Sequence, residues 1–386
     1  NYPVLSLTMS GVKKRNVDTN EGQLPETYEN YNLVDSSCLV FNPMDLISGW
    51  VDVPQTEGLI SPSYRTIKSR SEEANLHFIK YYFQSLYREK VLFHFGEGVH
   101  YEYRWGLGKE TLKNFPIPIP PKEEQEEIVS YLDNKTNQIN ELIKKTELKI
   151  EQLKEQKDSI IDEVVTQGLN PNVEKKESGV EWIGEIPSHW KISKLKYLVS
   201  ENQESLSNST DPDLELDYIE ISDVNSIGEF KKPTKYIFSE SPSRCRRICR
   251  KGDVIISTVR TYLKSIGIIE EQRENLICST GFSVLTPKSQ YLSKYVFYML
   301  RSNWFISKII SRSEGVSYPS IQSHKLLGTD VIIMEKQEQQ KIVEFLDEET
   351  QKIDKTIYKE EKRIELLKDY KQSLISEVVT GKKRVV

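Results

Sequence analysis

Cysteine is scarce in this chain: Cys38, Cys245, Cys249 and Cys278 are the only four in 386 residues. Cys245 and Cys249 are separated by three residues, and no second Cys or His pair stands at zinc spacing. The expected state is reduced thiols in a cytoplasmic protein. Histidine is equally thin. His77, His94, His100, His189 and His324 are scattered without metal-ligand spacing. No run approaches about 18 uninterrupted apolar residues, so no membrane span is expected. No basic-then-apolar leader opens the chain, so no secretory signal is expected either.

Catalytic motifs are also wanting. Gly106-Leu107-Gly108-Lys109-Glu110-Thr111 lacks the first glycine of a phosphate loop and a Ser or Thr directly after the lysine. Asn42-Pro43-Met44-Asp45 partly matches the Asn-Pro-Pro-Tyr motif of amino-methyltransferases. It lacks the aromatic, and no glycine-rich cofactor loop precedes it. There is no Gly-x-Ser-x-Gly and no arguable Cys–His pairing. A non-catalytic protein is expected. The net charge of −5 does not announce a nucleic-acid binder. Much of the deficit sits in residues 122–166, with 7 basic against 12 acidic side chains. One basic run stands out: Arg244, Arg246, Arg247, Arg250 and Lys251 fall within eight residues. A solvated loop and an anion-binding patch are both open readings of it.

What the chain does have is a repeat. Gln125-Glu126-Glu127-Ile128-Val129-Ser130-Tyr131-Leu132-Asp133 returns as Gln339-Gln340-Lys341-Ile342-Val343-Glu344-Phe345-Leu346-Asp347, an offset of 214. Asp162-Glu163-Val164-Val165-Thr166 returns at the same offset as Ser376-Glu377-Val378-Val379-Thr380. Glu97-Gly98-Val99-His100-Tyr101 matches Glu314-Gly315-Val316-Ser317-Tyr318 at 217, and Tyr2, Leu5 and Ser6 match Tyr218, Ile221 and Ser222 at 216. Two copies of one unit can place two similar surfaces around a pseudo-two-fold axis, an arrangement suited to a bipartite target.

Two stretches have a helical seam. Val129, Leu132, Thr136, Ile139, Ile143, Thr146, Ile150, Leu153, Lys157, Ile160 and Val164 step by three and four, and Val343, Leu346, Thr350, Ile353, Ile357, Glu360, Ile364, Leu367, Lys371, Leu374 and Val378 repeat the steps. Each predicts a helix of about 40 residues, roughly 60 Å long. Gly168 and Gly381 suit their C-termini. The nearest partner for each seam is the other copy, and a pseudo-two-fold axis would make the pair antiparallel. Each seam lysine, Lys157 and Lys371, is then expected roughly opposite the other helix's threonine, Thr350 or Thr136. It either sets register there or snorkels out of the seam.

Residues 1–115 and 180–333 read as mixed α/β. Strands are predicted in Asp253–Val259 and Phe282–Leu285, and helices packed on a sheet in Phe78–Leu86 and Ser293–Leu300. The predicted domains are 1–121, 122–168 (first long helix), 169–335 (a linker, polar over Glu174–Gly179, and a second globular domain) and 336–386 (second long helix and tail). The second unit begins with Glu181-Trp182-Ile183-Gly184-Glu185-Ile186-Pro187-Ser188-His189-Trp190, which has no first-copy counterpart. Judged by the repeat, roughly 40 residues are expected to be missing ahead of Asn1.

The Pro-rich exit Phe115-Pro116-Ile117-Pro118-Ile119-Pro120-Pro121 precedes Glu124-Gln125-Glu126-Glu127-Ile128-Val129, which opens a long helix. Together with the helix end Asp162-Glu163-Val164-Val165-Thr166-Gln167-Gly168 and the start Ile186-Pro187-Ser188-His189-Trp190, this resembles the specificity subunit of type I restriction-modification systems. The resemblance covers essentially the whole chain. It implies two α/β target-recognition domains joined by two long antiparallel coiled-coil helices, each domain reading half of a split double-stranded DNA sequence. It also implies that this chain binds no cofactor. Two methyltransferase subunits would carry S-adenosylmethionine, and two restriction-translocase subunits would carry ATP and Mg²⁺.

Recognition loops are chosen by chemistry, because base edges are read by Arg, Lys, Asn, Gln, Ser, Thr and Tyr. In the second unit these are Ser257, Thr258, Arg260, Tyr262 and Lys264, with Tyr318, Ser320, Gln322 and Lys325. In the first they are Lys13, Lys14 and Arg15, with Tyr101, Tyr103 and Arg104. Arg260 and Arg104 lead, since arginine forked onto guanine is the commonest specific contact. For each residue a base contact, a phosphate contact and a structural ion pair all stay open. A scaffold that pairs proteins through its helices without touching DNA is the alternative from another class. A broken half of a fused restriction-methylation enzyme would need cofactor motifs that are missing.

Overall fold

The computed structural model describes residues 2–16, 27–47, 49–69, 71–100, 104–315 and 318–385, with the side chains of Val99, His100, Arg104 and Trp105 outside the description. The chain divides into two compact units: Asn1–Leu148 with Glu360–Val386, and Lys149–Lys359. None of the helices among the described residues is long and apolar enough to cross a membrane.

The first unit opens with β1 (Val4–Thr8), β2 (Gly11–Lys14), β3 (Asn32–Val34), β4 (Leu39–Phe41), β5 (Val51–Asp52), β6 (Gly58–Ile60) and β7 (Arg65–Ile67). Then come α1 (Leu76–Arg88), the hairpin β8 (Glu97–His100) and β9 (Arg104–Gly106), α2 (Lys109–Lys113) and the long α3 (Lys122–Gln167). Two sheets form, in the orders β2-β1-β6-β3 and β5-β4-β7. Asn75 starts α1 as an N-cap, its side chain accepting from the amides of His77 at 2.9 Å and Phe78 at 3.3 Å. Of the buried side chains of α1, Phe83, Leu86 and Tyr87 share a core with Phe41, Val51 and Ile60 from the sheets.

The second unit has β10 (Lys175–Glu177), β11 (Glu185–Pro187), β12 (Lys191–Lys194), α4 (Leu195–Leu198), β13 (Val199–Glu201), β14 (Glu215–Ile219), β15 (Thr234–Ile237), β16 (Cys245–Ile248), β17 (Val254–Ser257), β18 (Ile266–Ile268), β19 (Leu276–Ser279) and β20 (Phe282–Pro287). These are followed by α5 (Ser293–Arg301), α6 (Asn303–Arg312), α7 (Ser323–Leu327), β21 (Asp330–Ile333) and the second long helix α8 (Lys336–Val379). The order β15-β14-β19-β16 repeats β2-β1-β6-β3, down to the parallel pairing of its two inner strands. Likewise β13-β20-β17-β18 extends the pattern of β5-β4-β7. The strands expected near Asp253–Val259 and Phe282–Leu285 are β17 and β20, and the two predicted sheet-packed helices are α1 and α5. All four cysteine thiols are free and buried.

Each long helix ends on its predicted glycine, held left-handed at φ +74° for Gly168 and +72° for Gly381. Within the first unit, Ile128, Leu132 and Ile139 of α3 share a core with Leu374, Ile375, Val378 and Val379 of α8. Within the second, Ile161, Val164 and Val165 share a core with Ile342, Val343 and Leu346.

Each seam lysine takes as its partner a residue one turn past the threonine that the heptads set roughly opposite it. Lys157 is buried and its Nζ lies 2.7 Å from Asp354, one turn beyond Thr350. The threonines are claimed by the globular part of their own unit: Tyr298 OH reaches Thr350 Oγ1 at 3.2 Å and donates to Asp347 at 2.7 Å. Tyr81, Thr136 and Asp133 repeat that set in the first unit. A short hydroxyl serves a neighbouring phenol, whereas an ammonium taken out of water needs a carboxylate or amide oxygen.

The repeated glutamine has a structural task. Gln339, fully buried, accepts from the Leu292 amide at 2.9 Å and donates to the carbonyls of Met334 at 3.0 Å and Gln290 at 3.3 Å. Gln125, also fully buried, does the same with the Asn75 amide and the carbonyls of Pro120 and Glu73. Each glutamine ties the first turn of a long helix to the start of the unit's sheet-packed helix.

Candidate nucleic-acid interface

In the second unit, β17 runs into Thr258–Lys264. Arg260 (φ +51°) and Lys264 (φ +54°) are both left-handed and flank a single 3-10 turn, Thr261–Leu263. That conformation costs a non-glycine residue on the order of 1 kcal/mol or more, so surrounding contacts must hold it. The Arg260 amide donates to the Pro319 carbonyl at 2.7 Å, and the Ile321 amide to the Thr258 carbonyl at 2.8 Å. Glu314 and Ser320 exchange two backbone hydrogen bonds, six residues apart on either side of Tyr318 in the chain. The two loops chosen from the sequence therefore lie side by side.

The Arg260 guanidinium lies over the Tyr318 ring, 4.5 Å from its centroid. Arg260 is exposed, and so are Tyr318 at 63% and Tyr262 at 49%. Of the other chosen side chains in this unit, those of Ser257, Thr258, Lys264 and Lys325 are engaged with protein. Ser257 is buried, and its hydroxyl donates to the Val259 carbonyl at 2.6 Å. Thr258 donates to the Gly281 carbonyl at 2.9 Å. Lys264 Nζ sits 3.2 Å from Asn303 Oδ1 and 3.4 Å from Asp158 of α3. Lys325 pairs with Glu314, which holds that carboxyl below its ordinary range. Gln322 caps α7 through its backbone and leaves its side chain exposed, and Ser320 is half-buried.

In the first unit, Lys13 and Lys14 are exposed on β2, an edge strand, and the Arg15 amide donates to the Val4 carbonyl at 2.8 Å. Tyr101 and Tyr103 lie outside the described residues, as does the side chain of Arg104, whose backbone belongs to β9. The paired strands β8 and β9 occupy the place in the chain that the Glu314–Ser320 pairing holds in the second copy.

Sequence reasoning missed the turn Ser279-Thr280-Gly281. It adjoins the Arg260 loop through Thr258, whose amide and hydroxyl both donate to the Gly281 carbonyl. The signal available was the Ser-Thr-Gly cluster between two β-rich runs. The basic run separates around β16. Arg250 forks the Glu204 carboxylate, Arg246 lies 4.9 Å over Phe238, and Arg244 is exposed. Asp162 of α3 accepts from the Asn303 amide at 2.6 Å, and burial pushes its carboxyl above the ordinary range.

Comparison with known proteins gives one family. The model described as type I restriction modification DNA specificity domain matches residues 55–152 and 187–366. The type I restriction enzyme MjaVIII specificity subunit of Methanocaldococcus jannaschii is 26% identical over 285 residues, 72% of this chain and 64% of that protein. The HindI specificity subunit of Haemophilus influenzae is 26% identical over 108 residues, 27% of this chain and 24% of that protein. The matches thus span less than two thirds of either relative. Among solved structures, a chain from a study of complex assembly and conformational transition of the type I R-M system aligns with a TM-score of 0.67 at 16% identity, over 92% of this chain and 84% of that one. At that identity the likeness speaks for the fold alone.

Proposed function

Because the chain belongs to the type I restriction modification DNA specificity family, we propose that it is the DNA-reading, non-catalytic subunit of a type I restriction-modification complex. On this reading each unit recognises one half of a split double-stranded sequence. Two methyltransferase subunits and two restriction-translocase subunits supply the chemistry, with S-adenosylmethionine, ATP and Mg²⁺ bound on them and not on this chain.

The observation that carries the reading is the duplication. The sheet order β2-β1-β6-β3 recurs as β15-β14-β19-β16, and the Gln125 clamp recurs at Gln339. Two copies of one fold in one chain suit a target with two halves. In the second unit the readout surface is the loop from Thr258 to Leu263 with Tyr318, where an exposed arginine is held ready against an aromatic ring. Phosphate contacts would position the domain, and this loop would specify.

The long helices are proposed as an antiparallel spacer. Supporting this, the first turns of α3 pack with the last turns of α8 in one unit, and the reverse holds in the other. Deleting one heptad from both helices should change the unread gap and leave both half-sequences intact.

The test is methylation-sensitive sequencing of DNA from cells expressing the chain with its methyltransferase partner. A split motif with a fixed gap is expected, and exchanging residues 191–335 for another recognition domain should alter one half only. If the complex assembles and no new methylated motif appears, the reading is wrong and the protein-pairing scaffold takes its place.

A further inference from the structure

We propose that Arg244 is a phosphate contact that sets the register of the second unit on DNA beside the bases read by the Arg260 loop, and that Arg250, six residues along the same basic run, is not. The inference rests on the DNA-reading function proposed above.

The first argument is location. The run straddles β16, which pairs antiparallel with β19. Arg244 stands at the end where β19 finishes: the Thr280 amide donates to the Arg244 carbonyl at 2.8 Å. The next residue is Gly281, whose carbonyl takes both the amide and the hydroxyl of Thr258. β17 and β20 meet at the same end, with Ser257 opposite Phe282. Arg244 therefore borders the Arg260 loop through one turn. Arg250 lies two residues past the other end of the strand, up to about 20 Å away at about 3.3 Å per residue.

The second argument is charge. Arg250 places Nε 2.8 Å from one oxygen of Glu204 and Nη2 on the other, so its charge is answered within the protein. The Arg244 side chain is exposed, and no hydrogen-bond or ion-pair partner meets it among the described residues. Arg260 likewise faces an aromatic ring and no carboxylate. The acidic groups close to this end bond to other partners than these two arginines. Glu314 pairs with Lys325, Glu201 accepts from Ser283 and Ser323, and Glu220 and Asp223 form a capping box. Two guanidinium groups without an ion-pair partner among the described residues, one of them over an exposed Tyr318, fit a polyanion that also offers bases to stack or read.

The third argument is strand geometry. The register of β16 shifts between Cys245 and Arg247, an irregularity that begins one residue past Arg244. Bulges re-aim side chains at the rims of sheets.

A phosphate contact and a base contact leave different signatures. Losing a phosphate contact weakens binding about equally on every sequence and lowers the slope of log affinity against log salt by about 1. Losing a base contact relaxes one position of the motif. The experiment measures binding of the assembled complex to its own target duplex and to duplexes altered at single half-site bases, between about 50 and 200 mM salt. Arg244→Ala should lower the salt slope by about 1 with an unchanged order of preference among duplexes. Arg244→Lys should restore the slope, and Arg250→Ala should match the wild type. An unchanged slope in Arg244→Ala, or an equal fall in Arg250→Ala, overturns the assignment while leaving the DNA-reading function standing. A wild-type complex that prefers no duplex overturns both.

Discussion

Lys157 and Asp354 form a close ion pair between α3 and α8, with Nζ 2.7 Å from both carboxylate oxygens. Its repeat mate is Lys371 with Asn140, at 2.8 Å. Each partner lies 214 residues from its equivalent, so the two contacts exchange under the internal repeat. The pair is asymmetric in burial, with side-chain exposure of 6% for Lys157 and 41% for Asp354. Removing the carboxylate strands a buried ammonium, whereas removing the ammonium leaves a carboxylate that water can reach. Asp354→Ala is expected to cost about 3 kcal/mol and Lys157→Met about 1 kcal/mol or less. Denaturant unfolding of the two variants checks this, and equal losses would refute the asymmetry.

The mate in the first unit lacks the carboxylate. Burial, with a smaller contribution from Lys80, holds Lys371 below the ordinary lysine value of 10.5. The folded protein therefore binds this proton less tightly than the unfolded chain. In the window between the lowered value and 10.5 the unfolded chain holds more protons, so this group's contribution to stability rises as pH climbs through the window. Below the window the penalty is present in full. Asn140→Asp copies the Asp354 arrangement. It should raise stability at pH 7 by about 0.5–1 kcal/mol and flatten the alkaline rise. Melting curves from pH 7 to about 10.5 decide the matter; a variant with an unchanged pH profile would show that the aspartate does not reach the lysine.

The two glutamine clamps invite a matched pair of substitutions. Gln339→Leu would leave the Leu292 amide and the carbonyls of Met334 and Gln290 without their partner in a closed core. Orphaning buried polar groups costs about 1–3 kcal/mol each, so a loss of about 3 kcal/mol or more is expected. Gln125→Leu should lose a similar amount from the first unit. Glutamate at either site keeps the acceptor but turns a negative oxygen onto carbonyls, and should rescue little. Hydrogen exchange at the Leu292 and Asn75 amides reads each clamp separately; protection retained in the leucine variants would argue that the clamp is dispensable.

The parts of this architecture legible in the sequence are those written in short-range periodicity or written twice. The seams of α3 and α8 repeat every seven residues and end on Gly168 and Gly381, whose positive φ a glycine supplies without strain. The sheets were less legible. Strands such as Asn32–Val34 and Val51–Asp52 are two or three residues long, and their pairing depends on partners far along the chain. Gln125 and Gln339 are visible in the sequence only as repeated letters. Only the fold shows the loop ends that close over them. Arg260 and Tyr318 were chosen separately, and their meeting depends on an isolated bridge between Val259 and Ser320. Lys264 has the composition of a DNA-binding residue, but Asp158 and Asn303 take its charge.

That last contact makes Lys264 a positioning residue within the proposed DNA-reading function. Its backbone is left-handed, it ends the turn that begins at Arg260, and its ammonium ties that turn to Asp158 of α3 and Asn303 at the start of α6. The ion pair is half-exposed, with side-chain exposures of 35% and 36%, so its worth to global stability is about 1 kcal/mol or less. Its effect on the loop should be larger, because an arginine displaced by a fraction of an ångström loses the fork geometry that selects guanine. Lys264→Met is expected to melt within a few degrees of the wild type while relaxing one position of one half-site, and Asp158→Asn should relax the same position more weakly. The charge-swapped pair, Lys264→Glu with Asp158→Lys, should recover part of the lost discrimination. Methylome sequencing of the three variants makes the distinction. If Lys264→Met weakens every sequence equally and lowers the salt slope, Lys264 touches a phosphate and the tether to α3 is incidental.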